Sequence, residues 1–223
     1  MYEPFNLLSL YKKSISSKYN TNKGFINPLN ISRIKSINKA INLTEEFDSF
    51  IDIGASNHEF SEILMNKGFS NGHAVEIIPT SSLKKFSEET QNFFLFEGLI
   101  QDFDYDHFFD FVLMSEVFEH IPINQIDLVI KKLESLTKKN SIVYISTPDP
   151  IFCGPASRSD IYFEKFQYGH YKHYLKGDIV KYFKSFELVM YEKIEGKLEV
   201  KFNEKLISFK RRTKNLPFFV KNY

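Results

Sequence analysis

Between residues 49 and 147, short apolar segments alternate with helix-length segments of mixed polarity. The predicted strands are 49–53, 72–77, 93–97, 111–115 and 141–147, and the predicted helices are 57–67, 80–90 and 123–138. Strands separated by helices form a parallel sheet with right-handed crossovers, so the pattern predicts an α/β fold, a three-layer αβα sandwich. Two more strand-like segments, 186–194 and 197–203, flank Glu195-Gly196 and predict a mostly parallel seven-stranded sheet that ends in an antiparallel hairpin.

Length and charge limit the function classes that the chain can serve. The 223 residues suit one globular domain with small appendages, predicted as a helical cap over 1–46, a main domain over 47–209 and a basic, aromatic tail over 210–223. The net charge of +1 gives no global attraction to nucleic acid or to an acidic membrane, so any such contact, including a transient one at a membrane surface, must be local. The single cysteine, Cys153, excludes an internal disulfide, and no apolar segment is long enough to span a membrane. We therefore expect a cytoplasmic protein.

Residues 49–60 combine a strand, a tight turn and the start of a helix. The strand ends in Asp52, Gly54 lets the backbone turn closely against a ligand, and a helical pattern continues through Phe60. The N–H groups at the start of such a helix can bind an adenosine-containing molecule that lies across the strand end. Only one glycine of the usual fingerprint is present, so an ordinary strand–helix turn is the alternative.

A second acid ends the next predicted strand. Glu76 follows the glycine turn by about 20 residues, the spacing of the acid that accepts ribose hydroxyls in nucleotide-binding βαβ units. The spacing predicts that Glu76 binds the ribose of a nucleoside.

A third polar group follows the predicted strand 111–115. If the chain turns helical there, Glu116, Glu119 and His120 share one face at i, i+3 and i+4. Two carboxylates and an imidazole suit Mg²⁺, Mn²⁺ or Zn²⁺, with open positions for a substrate oxygen. The alternative is structural, with the acids interacting with the helix dipole and His120 acting as a cap or polar core residue.

These motifs occur in the order found in a known family. The segments are Asp52–Ser56, Glu76, Glu97–Asp102, Phe109–Pro122, Ser146–Pro148 and Gly169–His173. The set resembles the class I S-adenosylmethionine-dependent methyltransferases, and most of all the branch that includes ubiquinone-pathway and sugar-modifying O-methyltransferases. The resemblance covers about residues 48–195. It implies a Rossmann-like fold and S-adenosylmethionine as the cofactor.

The resemblance also implies cofactor contacts. Asp52 and Gly54 would face the methionine part, Glu76 the ribose, and Gly98–Asp102 the adenine. The implied cofactor-binding set is Asp52, Gly54, Ala55, Ser56, Glu76, Ile77, Gln101, Asp102 and Ser115. The chain departs from the family pattern at Leu99, where members often carry an acid.

Similar enzymes that methylate the 2′-hydroxyl at the end of small RNAs hold a metal with a Glu-x-x-Glu-His motif and a histidine about 50 residues downstream. The matching residues here, and the predicted metal ligands, are Glu116, Glu119, His120 and His170. Without a metal, the predicted catalytic residues are Glu119, His120 and His170, with a histidine as the base. His173 is predicted as a packing or substrate-loop residue. The Phe-x-Trp-Thr stretch of the RNA enzymes is replaced by residues 174–177.

The predicted function is O-methylation of a small-molecule or carbohydrate-type acceptor, with or without a divalent metal. A hydroxyl is a poor nucleophile at neutral pH, so it needs a general base or a metal that lowers its pKa. The acceptor is expected to contact residues 1–30 and 148–173, where aromatic side chains are frequent. Two alternatives stay open, an RNA ribose 2′-O-methyltransferase and a non-catalytic module that binds a cofactor or a partner. A homodimer also stays open.

Overall fold

Five parallel strands form the centre of the described structure. The computed structural model describes residues 28–43, 48–148, 170–202 and 205–221. The parallel strands are β1 (Ser49–Ile53), β2 (Asn71–Glu76), β3 (Phe93–Glu97), β4 (Phe109–Ser115) and β5 (Thr137–Pro148). They lie in the order β3-β2-β1-β4-β5, and each neighbouring pair is parallel. The strand order reverses between β1 and β4, and folds of this kind bind ligands at the carboxyl ends of the strands at that point.

Helices cover both faces of this sheet. They are α1 (Pro28–Ile41), α2 (Glu59–Asn66), α3 (Ser81–Glu89), α4 (Ile126–Ser135) and α5 (Lys176–Tyr182), with 3₁₀ turns at Ile100–Asp102, Phe118–His120 and Ile123–Gln125. Apolar side chains of α1, α2 and α3 form one core cluster with the sheet, and those of α4 and α5 form a second cluster on the other face. The predicted three-layer Rossmann-like class is confirmed. Within the described ranges, no helix combines the length and apolarity needed to cross a membrane.

The central strand β4 explains why the apolar segments of the sequence predicted the parallel strands. It lies between β1 and β5 and is covered on both faces, so its residues from Phe109 to Met114 are buried. The polar exception is Asp110, which accepts hydrogen bonds from the N–H groups of Asp48 (2.9 Å) and Ser49 (3.0 Å) and pairs with Lys138. Burial opposes ionisation of Asp110, but the Lys138 ion pair and the two N–H groups hold its pKa below the usual value.

One predicted boundary is wrong. The helix expected over 123–138 begins with a 3₁₀ turn and ends at Ser135, because Thr137 already pairs with Phe109 as the first residue of β5. The Thr137 hydroxyl donates a hydrogen bond to the carbonyl of Leu133 at 2.7 Å and closes the helix there. Helical periodicity alone does not show at which residue the chain leaves the helix and pairs with a neighbouring strand.

Two further strands follow α5, namely β6 (Phe186–Phe202) and β7 (Lys205–Lys221). β7 is antiparallel to both β5 and β6. The turn predicted at Glu195-Gly196 is not found there, because β6 runs through both residues and its pairing with β7 shifts register between them. Side chains are described only as far as Lys193 in this region, so the complete seven-stranded sheet with its hairpin stays a prediction.

Helix α1 is held against the sheet by β6. The Ser36 hydroxyl donates a hydrogen bond to Oε2 of Glu192 at 3.0 Å, and Lys39 forms an ion pair with the same carboxylate. Ile37 and Ala40 are buried on this face. The remaining parts of the predicted cap, 1–27 and 44–46, lie outside the described residues, and β7 includes most of the segment predicted as a tail. The predicted domain boundaries stay predictions.

Candidate active site

The turn between β1 and α2 passes through left-handed backbone at three alternate residues. Gly54, Ser56 and His58 have φ values of 72°, 53° and 64°. A Cβ at Gly54 would collide with the Val117 side chain, so only glycine fits without a shift. The His58 ring stacks on Phe86, with 4.6 Å between ring centroids, and therefore faces α3. The sequence predicted one glycine turn, whereas non-glycine residues in left-handed backbone carry no reliable sequence signal.

Glu76 connects this turn to the end of β2. Its Oε2 accepts a hydrogen bond from the Ser56 N–H at 3.0 Å, and its Oε1 accepts one from the Ile78 N–H at 3.4 Å. The Thr80 hydroxyl donates to the Ser56 carbonyl at 2.9 Å, which fixes the turn from the other side. Burial raises the pKa of Glu76, and the backbone N–H groups oppose that shift. Each carboxylate oxygen can accept a second hydrogen bond, which suits a ligand with vicinal hydroxyls.

Asp52 is buried near the end of β1, with 2% of its surface exposed. Its Oδ2 accepts a hydrogen bond from the Ser61 hydroxyl at 2.6 Å. Burial raises the pKa of Asp52 to about 7; the Ser61 hydrogen bond opposes the shift, and the nearby Glu76 charge adds to it. The site thus holds two desolvated carboxyl groups that would gain from a cationic ligand.

The other predicted cofactor residues take different positions. Ala55 is buried in the core, and Ile77 is half-buried directly after β2. The Gln101 amide donates to Oε1 of Gln125 at 3.0 Å and so faces the start of α4. Asp102 is exposed at the end of the 3₁₀ turn after β3. The structure gathers Asp52, Gly54, Ser56 and Glu76 at one place and leaves the adenine contacts of Gln101 and Asp102 as predictions.

A chain of hydrogen bonds joins α1 to the end of β4. The guanidinium of Arg33 donates to Oγ of Ser115 at 3.3 Å and lies 5.4 Å from the centre of the Phe60 ring. Ser115 and Ser146 share a hydrogen bond of 2.9 Å, and the Ser146 hydroxyl donates to Oε1 of Glu116 at 3.0 Å. Since Ser146 gives its one hydroxyl hydrogen to Glu116, Ser115 is the donor to Ser146. A lone arginine on a predicted cap helix has no distinguishing signal, so sequence reasoning missed Arg33.

The polar group that follows β4 brings together three of the four predicted metal ligands. Ligand atoms of Glu119, His120 and His170 all lie within 4.8 Å of one another. The two imidazole rings meet edge to face with 4.6 Å between centroids, and the Glu119 side chain is buried. The N–H of Tyr171 donates to the Glu119 carbonyl at 2.8 Å, which binds the two distant segments together. Val117 packs on Gly54 and so places this cluster next to the turn between β1 and α2, the predicted cofactor turn.

Glu116 lies outside this group. Its φ of 61° is in the left-handed region, and the chain continues into the short 3₁₀ turn Phe118–His120 in place of an α-helix. The expected helical face at i, i+3 and i+4 therefore does not form, and the Glu116 carboxylate turns to Ser146. Among the described residues, three of the four predicted ligands lie together, and metal binding by Glu116 stays a prediction.

The three ligand groups that lie together, Glu119, His120 and His170, have the chemistry of a divalent metal site. One carboxylate oxygen and two imidazole nitrogens are ligands used by Mn²⁺, Fe²⁺, Co²⁺ and Zn²⁺, and they leave positions for substrate oxygens. The same groups can act as proton acceptors without a metal. The predicted acceptor contacts at 1–27 and 149–169 lie outside the described residues.

A protein family described as a methyltransferase domain matches residues 30–193, which is most of the chain. This range includes most of α1, the turn after β1, Glu76 and the group of Glu119, His120 and His170. No curated protein matches the sequence.

Solved structures of methyltransferases share the fold. The N-methyltransferase NodS from Bradyrhizobium japonicum, in complex with S-adenosylhomocysteine, has a TM-score of 0.72 at 12% identity over 95% of this chain and 98% of its own. The 1,6-didemethyltoxoflavin-N1-methyltransferase from Burkholderia thailandensis has a TM-score of 0.71 at 11% identity over 100% of this chain and 92% of its own. A methyltransferase from Anabaena variabilis has a TM-score of 0.65 at 14% identity over 97% of this chain and 96% of its own.

Proposed function

Because the chain belongs to the S-adenosylmethionine-dependent methyltransferases, we propose that it methylates a hydroxyl of a small-molecule or carbohydrate-type acceptor. The observation that carries this proposal is the convergence of Glu119, His120 and His170 next to the cofactor turn. A hydroxyl must lose its proton to become a good nucleophile, and these groups can accept it. Two of the similar structures are N-methyltransferases. A neutral amine already has a free lone pair, so an amine acceptor would not need a proton-accepting group before the methyl transfer.

The residues around the first turn support cofactor binding. The Glu76 carboxylate is held by two backbone N–H groups and can accept the ribose hydroxyls of S-adenosylmethionine. The Arg33 guanidinium at the end of β4 can bind the methionine carboxylate. Asp52 offers a buried carboxyl group, and its ionised form can pair with the methionine ammonium. Together these three groups would orient the cofactor.

The cofactor supplies a methyl group that is already activated as a sulfonium. If a divalent metal takes part, Glu119, His120 and His170 would hold it, and it would lower the pKa of an acceptor hydroxyl. Without a metal, His120 or His170 would take the hydroxyl proton, and the buried Glu119 carboxylate would stabilise the resulting imidazolium. Either arrangement favours an acceptor with two vicinal hydroxyls, because one can bind while the other reacts.

RNA remains the second candidate acceptor, because the same cluster matches the motif of the RNA 2′-O-methyltransferases. The net charge of +1 does not favour it. A non-catalytic module is not supported, because the family match spans both the cofactor turn and the cluster.

The proposal is tested by measuring formation of S-adenosylhomocysteine with matched acceptors. Sugars and catechols that carry vicinal hydroxyls are compared with the corresponding amino compounds and with a short RNA, each with and without EDTA. Turnover on diols that is lost in Glu119→Gln supports the proposal. Turnover on amines alone, unchanged in Glu119→Gln, would overturn it, and turnover on RNA alone would favour the second candidate.

A further inference from the structure

A second histidine stands directly behind His170. The Nδ1 atom of His170 and the Nε2 atom of His173 are 2.5 Å apart, so the two rings share a hydrogen bond. His173 is buried, with 6% of its surface exposed, and the ring centroids are 4.8 Å apart. The ligand group of Glu119, His120 and His170 does not include His173. His170 therefore belongs to the ligand group, and His173 lies outside the group and contacts His170.

The direction of this hydrogen bond decides whether His170 can bind a metal. If His173 donates from Nε2, neutral His170 carries its own hydrogen on Nε2 and has no lone pair there for a metal. If His170 donates from Nδ1, its Nε2 lone pair is available. Because Nδ1 is already engaged by His173, only the second arrangement makes His170 a ligand.

The position of His173 is fixed by the surrounding structure. The next residue, Tyr174, is fully buried and packs against Phe118, with 4.8 Å between ring centroids. Between the two histidines in the chain, the Tyr171 N–H donates to the Glu119 carbonyl. The segment that carries His170 and His173 is thus anchored at two points to Phe118–His120, the segment that carries the rest of the cluster.

We infer that His173 is a positioning residue that accepts a hydrogen bond from Nδ1 of His170 and directs Nε2 of His170 toward a divalent metal. This inference rests on the metal-assisted form of the proposed function. The ligand set itself narrows the choice of metal. Two imidazoles and one carboxylate favour Mn²⁺, Co²⁺ or Zn²⁺ over Mg²⁺, which prefers oxygen ligands. Partners of this kind change metal affinity without touching the metal.

The first test is calorimetric titration of MnCl₂ and CoCl₂ into the full chain. His173→Phe keeps a ring but removes the acceptor, and it is expected to weaken metal binding roughly 10–100-fold. His173→Gln places an amide oxygen near the position of Nε2 and is expected to stay within a few fold of the wild type. His170→Ala removes a ligand and is expected to abolish binding at this site. His107→Gln, which changes an exposed histidine, serves as the matched control.

Equal affinity of His173→Phe and wild type, with binding lost in His170→Ala, would overturn the inference. Metal binding by the wild type that is unchanged in His170→Ala would also overturn it, since the metal then binds elsewhere. Titration of S-adenosylhomocysteine into the same samples keeps the two questions apart. If the cofactor product binds but no metal does, the methyltransferase assignment stands and the positioning role of His173 is refuted.

A second measurement needs no variant and covers the case in which His173→Phe fails to fold. Long-range ¹H–¹⁵N correlation spectra of ¹⁵N-histidine-labelled, zinc-loaded protein report which ring nitrogen carries the hydrogen. The expected result is a hydrogen on Nδ1 of His170 and none on Nε2 of His173. A hydrogen on Nε2 of His170, or metal bound through its Nδ1, would refute the inference.

Discussion

The buried carboxyl of Asp52 should make the protein less stable as the pH rises, and Asp52→Asn should remove that loss. Burial raises its pKa from 3.8 to about 7 in the folded state. Between these values the folded chain binds one more proton than the unfolded chain. The contribution of Asp52 to stability is therefore complete below pH 3.8 and is lost as the pH rises to 7.

The size of the effect follows from the shift. About three pKa units correspond to roughly 4 kcal/mol of unfolding free energy at pH 8. Asn is neutral, and its amide oxygen can still accept the hydrogen bond from Ser61, but burying the amide costs roughly 2 kcal/mol. Asp52→Asn should therefore stabilise the ligand-free protein at pH 8 by about 2 kcal/mol, a rise in Tm of roughly 4–8 °C for a chain of this length.

Thermal unfolding followed by circular dichroism between pH 5 and pH 8.5 tests this expectation. Asp110→Asn is the matched control of opposite sign, because the Lys138 ion pair and two backbone N–H groups stabilise the ionised carboxylate of Asp110. It should lower Tm at neutral pH. A lower Tm of Asp52→Asn at pH 8, or a gain that does not grow between pH 5 and pH 8, would refute the reasoning.

Three further changes have defined outcomes. Glu76→Gln replaces one carboxyl oxygen with an amide donor and should weaken binding of S-adenosylhomocysteine roughly 10–100-fold in calorimetry; unchanged affinity would contradict the ribose contact. Gly54→Ala should lower the free energy of unfolding in urea by about 1–3 kcal/mol. Adding Val117→Ala should recover part of this loss, and no recovery would argue against the collision with Val117. Burial lowers the pKa of His73 to about 4, so its neutral ring stabilises the fold above pH 6.5 and this stability is lost toward pH 4. His73→Leu should flatten the acid side of the Tm profile, and an unchanged acid side would argue against a buried neutral ring.

Local sequence signals predicted the first turn well. The strand that carries Asp52, the glycine turn at Gly54 and the acid at Glu76 are all found at the expected places, because each depends on a few adjacent residues and on the spacing of one βαβ unit. The turn predicted at Glu195-Gly196 failed because a glycine inside a strand produces a register shift as readily as a turn.

The predicted metal ligands show the limit of such local signals. The motif spacing suggested Glu116 as a ligand, but the left-handed backbone at this residue turns its carboxylate toward Ser146. Arg33 could not be identified from the sequence, because its partner Ser115 is 82 residues away along the chain. The pairing of His170 with Glu119 and His120 was suggested by family resemblance and not by any local pattern.

The sequence by itself determined the alternation of strands and helices and the parallel sheet, since apolar periodicity is a local property that every part of the chain carries independently. Only the tertiary structure decided which polar groups meet at the carboxyl ends of β1 and β4. It also decided that Asp52 is desolvated and that His170 lies between His120 and His173. These outcomes depend on packing between segments that are distant in the chain, and burial, backbone direction and pKa follow from that packing.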